Sequence, residues 1–235
     1  MSTLRVMSYN VLHFENVRTG RIDYDAFAAV VRDSGADVVG LNEVYGGSSK
    51  YGEQAAELAM RLGWHWAFSE AFLDDGVDPF GNAIVSRFPI ERAETIPIPY
   101  PAVRSGTAYY EPRAVLRAKI AGHVVLVTHF GLNADEQENA LGTVLPLLEE
   151  SRCILTGDFN VPPDAPVLSP IRAKTQDVDA FLPAGTMSFP SDEPRIKIDY
   201  IFTSRDCTVQ SADIPAVVVS DHRPYFAELT GEFNV

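Results

Sequence analysis

The sequence has 235 residues, of which 46% are hydrophobic, and this is enough to bury a substantial core in one domain spanning 1–235. Nineteen basic residues against 32 acidic ones give a net charge of −13, so the average surface repels phosphate backbones and disfavours long nucleic acid as a substrate. A local basic patch or bound divalent ions could still reverse the field at one place.

The sequence has no pattern typical of a membrane or secreted protein. No apolar run approaches membrane-spanning length, and the first residues enter strand-like sequence without the pattern of a signal peptide. We therefore expect a soluble, cytoplasmic and monomeric protein, provided that the sequence is the native full chain. Its two cysteines, Cys153 and Cys207, lack the spacing of a zinc site and are expected to be reduced, packed thiols.

The first third of the chain alternates predicted strands and helices. Asp23 and Gly35 bracket an apolar face with helical spacing, and Gly63 follows a second such pattern. The predicted elements are, in order, a strand at 4–10, a helix between Asp23 and Gly35, a strand at 37–41, a helix at 52–62, a strand at 64–68 and an acidic loop at 71–79.

The rest of the chain is richer in strands. Residues 96–101 contain three prolines and are predicted to be an edge or a connector, because proline removes a ladder donor. The predicted elements are a strand at 83–86, a short strand after 88–90, a hairpin of strands 114–120 and 124–128, a helix at 135–150 that Pro146 kinks or divides, a strand at 153–156, and strands at 198–203, 216–219 and 224–229. This order favours mixed sheets covered by helices, an α/β sandwich.

Polar side chains recur where apolar strands end. They are Asn10, Glu43, His129, Asp158 with Asn160, and Asp221 with His222. Each one alone is typical of a turn or a solvated strand end. Several together predict one site, because strand ends and the loops beyond them are the usual location of sites in layered α/β proteins.

The residue types in this set suit one kind of chemistry. Oxygen ligands such as Glu43 and Asn10, with Asp221 as a further candidate, suit Mg²⁺ or Mn²⁺. The imidazoles of His129 and His222 could contact phosphate oxygens or transfer protons, and Asp199 could orient one of them. These are the groups needed to hydrolyse a phosphate ester.

Five short motifs, in this order, resemble those of the endonuclease/exonuclease/phosphatase superfamily. They are MSYN (7–10), LNEV (41–44), GDFN (157–160), IDYI (198–201) and SDHRP (220–224), and residues 81–90 and 128–130 resemble further elements. The resemblance implies a four-layer α/β sandwich, in which two packed mixed β-sheets are flanked by helices, with a metal-dependent phosphoesterase site at one end.

The resemblance also implies roles for individual residues. The implied catalytic residues are His129, Asp158, Asn160, Asp199 and His222. The implied metal ligands, for Mg²⁺ or Mn²⁺, are Asn10, Glu43 and Asp221, and the implied substrate-binding residues are Arg113 and Asn82. His129 resembles the histidine found in the nuclease, sphingomyelinase and deadenylase branches of the superfamily. Abasic-site endonucleases have a tyrosine at this place instead.

Three functions stay open on the sequence alone. The acidic composition favours a phosphodiesterase or phosphatase acting on a small or lipid-headgroup phosphoester, because a nuclease groove needs Lys and Arg. The region after Glu43 offers only Lys50. The alternatives are an endo- or exonuclease acting on DNA or RNA and, less favoured, a catalytically inactive binding module, which would have no need to retain the whole residue set.

Overall fold

Two six-stranded sheets dominate the structure, a computed structural model that describes residues 2–231. The strands are β1 (Ser2–Asn10), β2 (Glu15–Asn16), β3 (Arg21–Ile22), β4 (Val38–Tyr45), β5 (His65–Asp74), β6 (Asp78–Ser86), β7 (Ile90–Pro97), β8 (Ala114–Ile120), β9 (His123–His129), β10 (Cys153–Asp158), β11 (Gln176–Asp177), β12 (Asp199–Thr203), β13 (Thr208–Asp213) and β14 (Tyr225–Gly231). The prediction of one domain over 1–235 also includes residues 1 and 232–235, which lie outside the described range.

Helices and short turns of helix connect these strands. The α-helices are α1 (Tyr24–Ser34), α2 (Gln54–Leu62), α3 (Ala134–Leu147) and α4 (Ser169–Lys174), and 3-10 helices cover Leu12–Phe14, Pro166–Leu168 and Val178–Phe181. Within the described part of the chain, no helix combines the length and the apolar character needed to cross a bilayer.

Both large sheets are mixed. The strand order is β13-β14-β1-β4-β6-β5 in one sheet and β11-β12-β10-β9-β8-β7 in the other, and β2 with β3 forms a small ribbon. In the first sheet β1 is parallel to β4 and antiparallel to β14. In the second, β10 is parallel to β9 and antiparallel to β12. Each sheet therefore has one parallel pair at its centre.

Alternation of side chains along the central strands builds three apolar layers. In β1, Val6 lies in the core between the two sheets, whereas its neighbour Met7 lies in the cluster that includes Phe27 of α1. In β10, Leu155 lies in the cluster that includes Val144 of α3. The helices thus cover the outer faces of the sheets, and the predicted four-layer α/β sandwich is confirmed.

The ends of α1 lie where the sequence predicts them. The carboxylate of Asp23 accepts a hydrogen bond from the backbone nitrogen of Ala26 at 3.0 Å, and Gly35 takes a left-handed conformation with φ of 66°. These are the usual ways to satisfy the free N–H groups at the start of a helix and to turn the chain at its end.

Substituting Asp23 by alanine is expected to lower the free energy of unfolding by about 1 kcal/mol, because the cap of α1 is lost. Asp33, in the last turn of the same helix, is exposed, and Asp33→Ala is the matched control, in which no loss of stability is expected because alanine is the better helix former and an acid is unfavourable at this end. Chemical denaturation followed by circular dichroism measures both. Equal losses in the two variants would show that the cap contributes nothing.

Two sequence predictions about strands are wrong. The predicted acidic loop at 71–79 belongs to the hairpin of β5 and β6, with only 75–77 in the turn. The predicted strand at 216–219 has no regular structure, whereas β13, at 208–213, was not predicted. The hairpin and β13 lie at opposite edges of the first sheet, where solvent-facing polar residues give an edge strand the composition of a loop.

Two prolines lie where they do not interrupt a helix or a central strand. Pro146 lies in the last turn of α3, so the helix stays one element over Ala134–Leu147. Pro97 ends β7, which is the edge strand of the second sheet, as predicted.

Candidate active site

Strand pairing brings the polar strand ends to one edge of the sandwich. Asn10 at the end of β1 is paired with Asn42 of β4, and His129 at the end of β9 is paired with Asp158 at the end of β10. Because β12 runs antiparallel to β10, its first residue, Asp199, lies beside Asp158. The convergence expected from the sequence therefore occurs.

Two buried amides join the sheets at this edge. Asn42 donates from Nδ2 to the carbonyl oxygen of Thr128 at 2.9 Å, and its Oδ1 accepts from the backbone nitrogen of Asp158 at 3.1 Å. It also donates to Asn82 at 2.8 Å, and Asn82 donates to the carbonyl oxygen of Ala114 at 2.9 Å. The amide of Asn82 is thus engaged between the sheets, and its predicted contact with substrate stays a prediction. Asn42, to which the sequence assigned no role, holds the sheets in register at the site.

Two of the site residues, Glu43 and Asn160, have a left-handed backbone conformation that sets the direction of their side chains. Glu43 has φ of 60° and lies where the pairing of β4 with β6 shifts register between Leu41 and Val44, and such a bulge redirects a side chain. Asn160 has φ of 52°, and its backbone nitrogen donates to Oδ1 of Asp158 at 2.9 Å. Asparagine tolerates this conformation better than most residues. The direction of both side chains therefore depends on local backbone conformation.

Asn10 links two carboxylates. Its Nδ2 donates to Oε1 of Glu43 at 2.8 Å and to Oδ2 of Asp158 at 3.2 Å, while its Oδ1 accepts from the backbone nitrogen of Leu12 at 3.1 Å. The amide hydrogens therefore face the carboxylates, and a metal contact through Oδ1 would require the amide to turn over. The predicted role of Asn10 as a metal ligand stays a prediction.

His222 is held between two acids. Its Nδ1 lies 3.0 Å from Oδ2 of Asp199, and its Nε2 lies 3.6 Å from Oδ2 of Asp158. Burial alone lowers the pKa of His222, but Asp199 and Asp158 together raise that pKa to about 10, so the ring is an imidazolium at neutral pH. Burial raises the pKa of Asp158 to about 7, against the lowering effect of His222.

His129 approaches Asp158 from another direction. Its Nε2 lies 3.5 Å from Oδ2 of Asp158 and 3.1 Å from Nδ2 of Asn160, and its Nδ1 lies 2.9 Å from Nη1 of Arg113. Burial, together with the positive charges of Arg113 and His222, holds the pKa of His129 well below its usual range. The two imidazoles that face Asp158 therefore differ in charge, one neutral and one cationic.

Arg113 and Asp221 lie at the rim of this cluster. Arg113 also donates from Nη2 to Oε2 of Glu111 at 2.6 Å, so it is bonded within the protein, and its predicted contact with substrate stays a prediction. Asp221 is half-buried, its Oδ1 accepts from Oγ of Ser220 at 3.1 Å, and its charge helps to raise the pKa of the adjacent imidazolium. The predicted metal contact of Asp221 also stays a prediction.

Sequence reasoning missed a buried lysine behind the site. Lys197 is 3% exposed. Its Nζ donates to the backbone oxygen of Asp199 at 2.5 Å, pairs with Oδ1 of Asp179 at 2.8 Å and lies 3.6 Å from the ring centre of Tyr200. Lys197 therefore holds the start of β12 through the backbone of Asp199. A lysine between two isoleucines, two residues before an apolar strand, was the available signal.

The chemistry of the donor groups fits a hard divalent cation. The carboxylates at this edge are Glu43, Asp158, Asp199 and Asp221. The positive charge of His222 balances one of these carboxylates, and Arg113 is already paired with Glu111. The cluster therefore has an excess of negative charge. Oxygen donors without a thiolate are those that Mg²⁺ and Mn²⁺ take. Glu43, half-buried and fixed on one oxygen by an amide, would be the principal ligand.

A two-sheet sandwich with acids, amides and imidazoles at its strand ends defines the class of endonuclease/exonuclease/phosphatase proteins. The model of the Endonuclease/Exonuclease/phosphatase family matches residues 7–222, and the chain therefore belongs to this family, whose members are hydrolases that act on phosphoesters. A search of curated proteins found no sequence match.

Solved structures with the same fold come from bacteria and from human. An endonuclease/exonuclease/phosphatase protein of Beutenbergia cavernae has 24% identity and a TM-score of 0.74, over 97% of this chain and 72% of that one. A mannosyl-6-phosphatase of Bacteroides thetaiotaomicron has 20% identity and a TM-score of 0.76, over 97% and 100%. The human Nocturnin catalytic domain, solved with a bound sulfate anion, has 18% identity and a TM-score of 0.72, over 98% and 93%. At these identities the likeness establishes the fold.

Proposed function

We propose that this protein is a divalent-metal-dependent phosphoesterase, a phosphodiesterase or phosphatase that acts on a small or lipid-headgroup substrate. One observation carries the proposal: two imidazoles meet a single buried carboxylate. The Nε2 atoms of His129 and His222 lie 3.5 and 3.6 Å from Oδ2 of Asp158. Membership of a family of phosphoester hydrolases supports the reaction type.

The roles follow from charge and position. Asp158, with a pKa near neutrality, is suited to orient the attacking water and accept its proton. His222, kept cationic by Asp199, donates to the phosphoryl group and stabilises its developing charge. Neutral His129 and Asn160 add further N–H donors at the same place. When bound, a divalent cation would neutralise the carboxylates and polarise a phosphate oxygen.

A small substrate is favoured by the charges around the site. Glu111 pairs with Arg113 at 2.6 Å, which removes a cation from the binding of a polyanion. A nuclease groove would instead be lined with unpaired Lys and Arg. The fold shared with a mannosyl-6-phosphatase is consistent with a small phosphoester.

Hydrolysis of bis-p-nitrophenyl phosphate is expected to be stimulated by Mg²⁺ or Mn²⁺ and lost when EDTA is added. The same assay should include sugar phosphates, lipid-headgroup esters, duplex DNA and RNA side by side. Preference for long DNA at physiological salt would favour the nuclease alternative. Inertness towards the whole panel would favour a catalytically inactive binding module.

The variant Glu43→Gln is expected to need a much higher Mg²⁺ concentration for half-maximal activity, because the principal anionic ligand is lost. Turnover at saturating Mg²⁺ should fall by about 10²-fold. Glu70 is exposed on the edge strand β5, and Glu70→Gln is the matched control with unchanged metal dependence. A metal titration identical to wild type in Glu43→Gln would remove Glu43 from the metal site.

A further inference from the structure

The contacts of His129 determine where its ring proton lies. A guanidinium only donates hydrogen bonds, so Nη1 of Arg113, at 2.9 Å, makes Nδ1 of His129 an acceptor. A ring nitrogen that accepts a hydrogen bond is unprotonated, so the ring carries a single proton. That proton must then be on Nε2.

We propose that Arg113 is a positioning residue, which fixes His129 in the Nε2–H tautomer so that this N–H is offered to a phosphoryl oxygen of the substrate. The identity of that acceptor rests on the proposed phosphoesterase function. The tautomer follows from the contacts of the ring alone and holds for any substrate.

The amide of Asn160 places a second N–H donor beside Nε2 of His129. Its Nδ2 lies 3.1 Å from Nε2 of His129 and 3.0 Å from the carbonyl oxygen of Phe130. Turning the amide over would place its oxygen against that carbonyl oxygen, so Nδ2 stays where it is. Two N–H donors then converge without bonding each other. Oδ2 of Asp158, at 3.5 Å from Nε2, is too distant to be a good acceptor, and an oxygen placed between the two donors would satisfy both.

Arg113 is itself held so that it can impose this tautomer. Its Nη2 is bonded to Glu111 at 2.6 Å, and its side chain is 11% exposed. The backbone nitrogen of Glu111 donates to Oε1 of Glu136 in the first turn of α3 at 3.1 Å, and the backbone oxygen of Arg113 accepts from Ile98 at 2.9 Å. The guanidinium fork reaches an acid and an imidazole at once, which the single ammonium group of lysine cannot reproduce.

The tautomer is directly measurable by ¹⁵N NMR on the full-length protein labelled at histidine, because protonated and unprotonated ring nitrogens resonate far apart. The chain has five histidines, and the His129→Gln variant assigns the signals of His129. Nδ1 of His123 lies 3.1 Å from the carbonyl oxygen of Ala121, so His123 should show the opposite tautomer and serves as an internal reference. We expect protonated Nε2 and unprotonated Nδ1 in His129, and the reverse would overturn the proposal.

Substitution of Arg113 supplies the causal test. In Arg113→Met the donor to Nδ1 is gone, and Nδ2 of Asn160 can donate to Nε2, so the tautomer of His129 is expected to switch. In Arg113→Lys a partial switch is expected. Arg92 is exposed on β7, and Arg92→Met is the control with unchanged spectra. An unchanged His129 tautomer in a folded Arg113→Met protein would contradict the proposal.

Kinetics separate positioning from direct binding of substrate. A positioning role predicts that kcat falls about 10²-fold in Arg113→Met with KM nearly unchanged, because a transition-state donor is lost. A raised KM with unchanged kcat would instead assign Arg113 to substrate binding and overturn the proposal. If the wild-type protein hydrolyses no phosphoester while the spectra are as expected, the proposed function fails and the tautomer assignment stands.

Discussion

Replacing His222 by alanine is expected to lower phosphoester turnover by about 10²- to 10³-fold. The imidazolium is 4% exposed, and its ring joins Asp199 to the face of Asp158. In the proposed mechanism it is the cation that stabilises the charge developing on the phosphoryl oxygens. Its removal should therefore raise the barrier to reaction more than the loss of a neutral donor would.

The partner of this histidine should behave as part of the same unit. Asp199→Asn keeps the size of the side chain but removes the charge that holds His222 cationic, so a comparable loss of turnover is expected. The double variant should be scarcely worse than either single variant, because residues that act together are not additive. Losses that multiply would show that the two residues act independently.

The control for His222→Ala is a histidine of the same chain outside the site. His65 is exposed at the start of β5, and His65→Ala is expected to retain the wild-type rate. Circular dichroism and thermal unfolding check that His222→Ala remains folded, and His222→Gln provides a variant that fills more of the space. Wild-type-like turnover in folded His222→Ala would remove His222 from the mechanism.

Replacing Gly157 by alanine is expected to lower the free energy of unfolding by about 2–5 kcal/mol. Gly157 has φ of 154°, and a Cβ built there would overlap the backbone oxygen of Thr128 on the neighbouring strand β9. Because β9 and β10 are paired residue by residue at this point, the overlap can be relieved only by separating strands that hold the site. Equilibrium urea denaturation measures the loss.

Another glycine provides a control of opposite sign. Gly142 lies in α3, is exposed, and a Cβ there would meet nothing within 4 Å. Gly142→Ala is expected to stabilise the protein by about 0.5–1 kcal/mol, because alanine is the better helix former. If both variants changed stability alike, close contact between β9 and β10 would not be the cause of the effect at Gly157.

Local sequence patterns predicted those elements whose signals lie within a few residues. The cap at Asp23 and the stop at Gly35 act on neighbouring peptide groups, and both were confirmed in α1. The apolar residues of β10 are followed closely in the sequence by Asp158, so the same short pattern predicted both the strand and its polar end. Five motifs spread in order over residues 7–224 predicted the family, which the match over residues 7–222 confirmed.

Two segments at the edges of the first sheet escaped prediction for a physical reason. One side of an edge strand faces solvent and needs no partner, so its composition differs little from that of a loop. The hairpin at Asp74 and Asp78 was therefore read as a loop, and β13 was not recognised. Only the observed pairing, of β5 with β6 and of β13 with β14, distinguishes these segments from loops.

The sequence by itself determined which residue types end the strands, and thus that acids, amides and imidazoles gather at one edge. It could not determine their hydrogen-bond partners, since Asn10 meets Asp158 across 148 positions of the chain. Only the tertiary structure decided that the amide hydrogens of Asn10 face the carboxylates and that Arg113 meets His129. A hydrogen bond depends on distances of a few tenths of an ångström, and packing sets those distances while residue order does not.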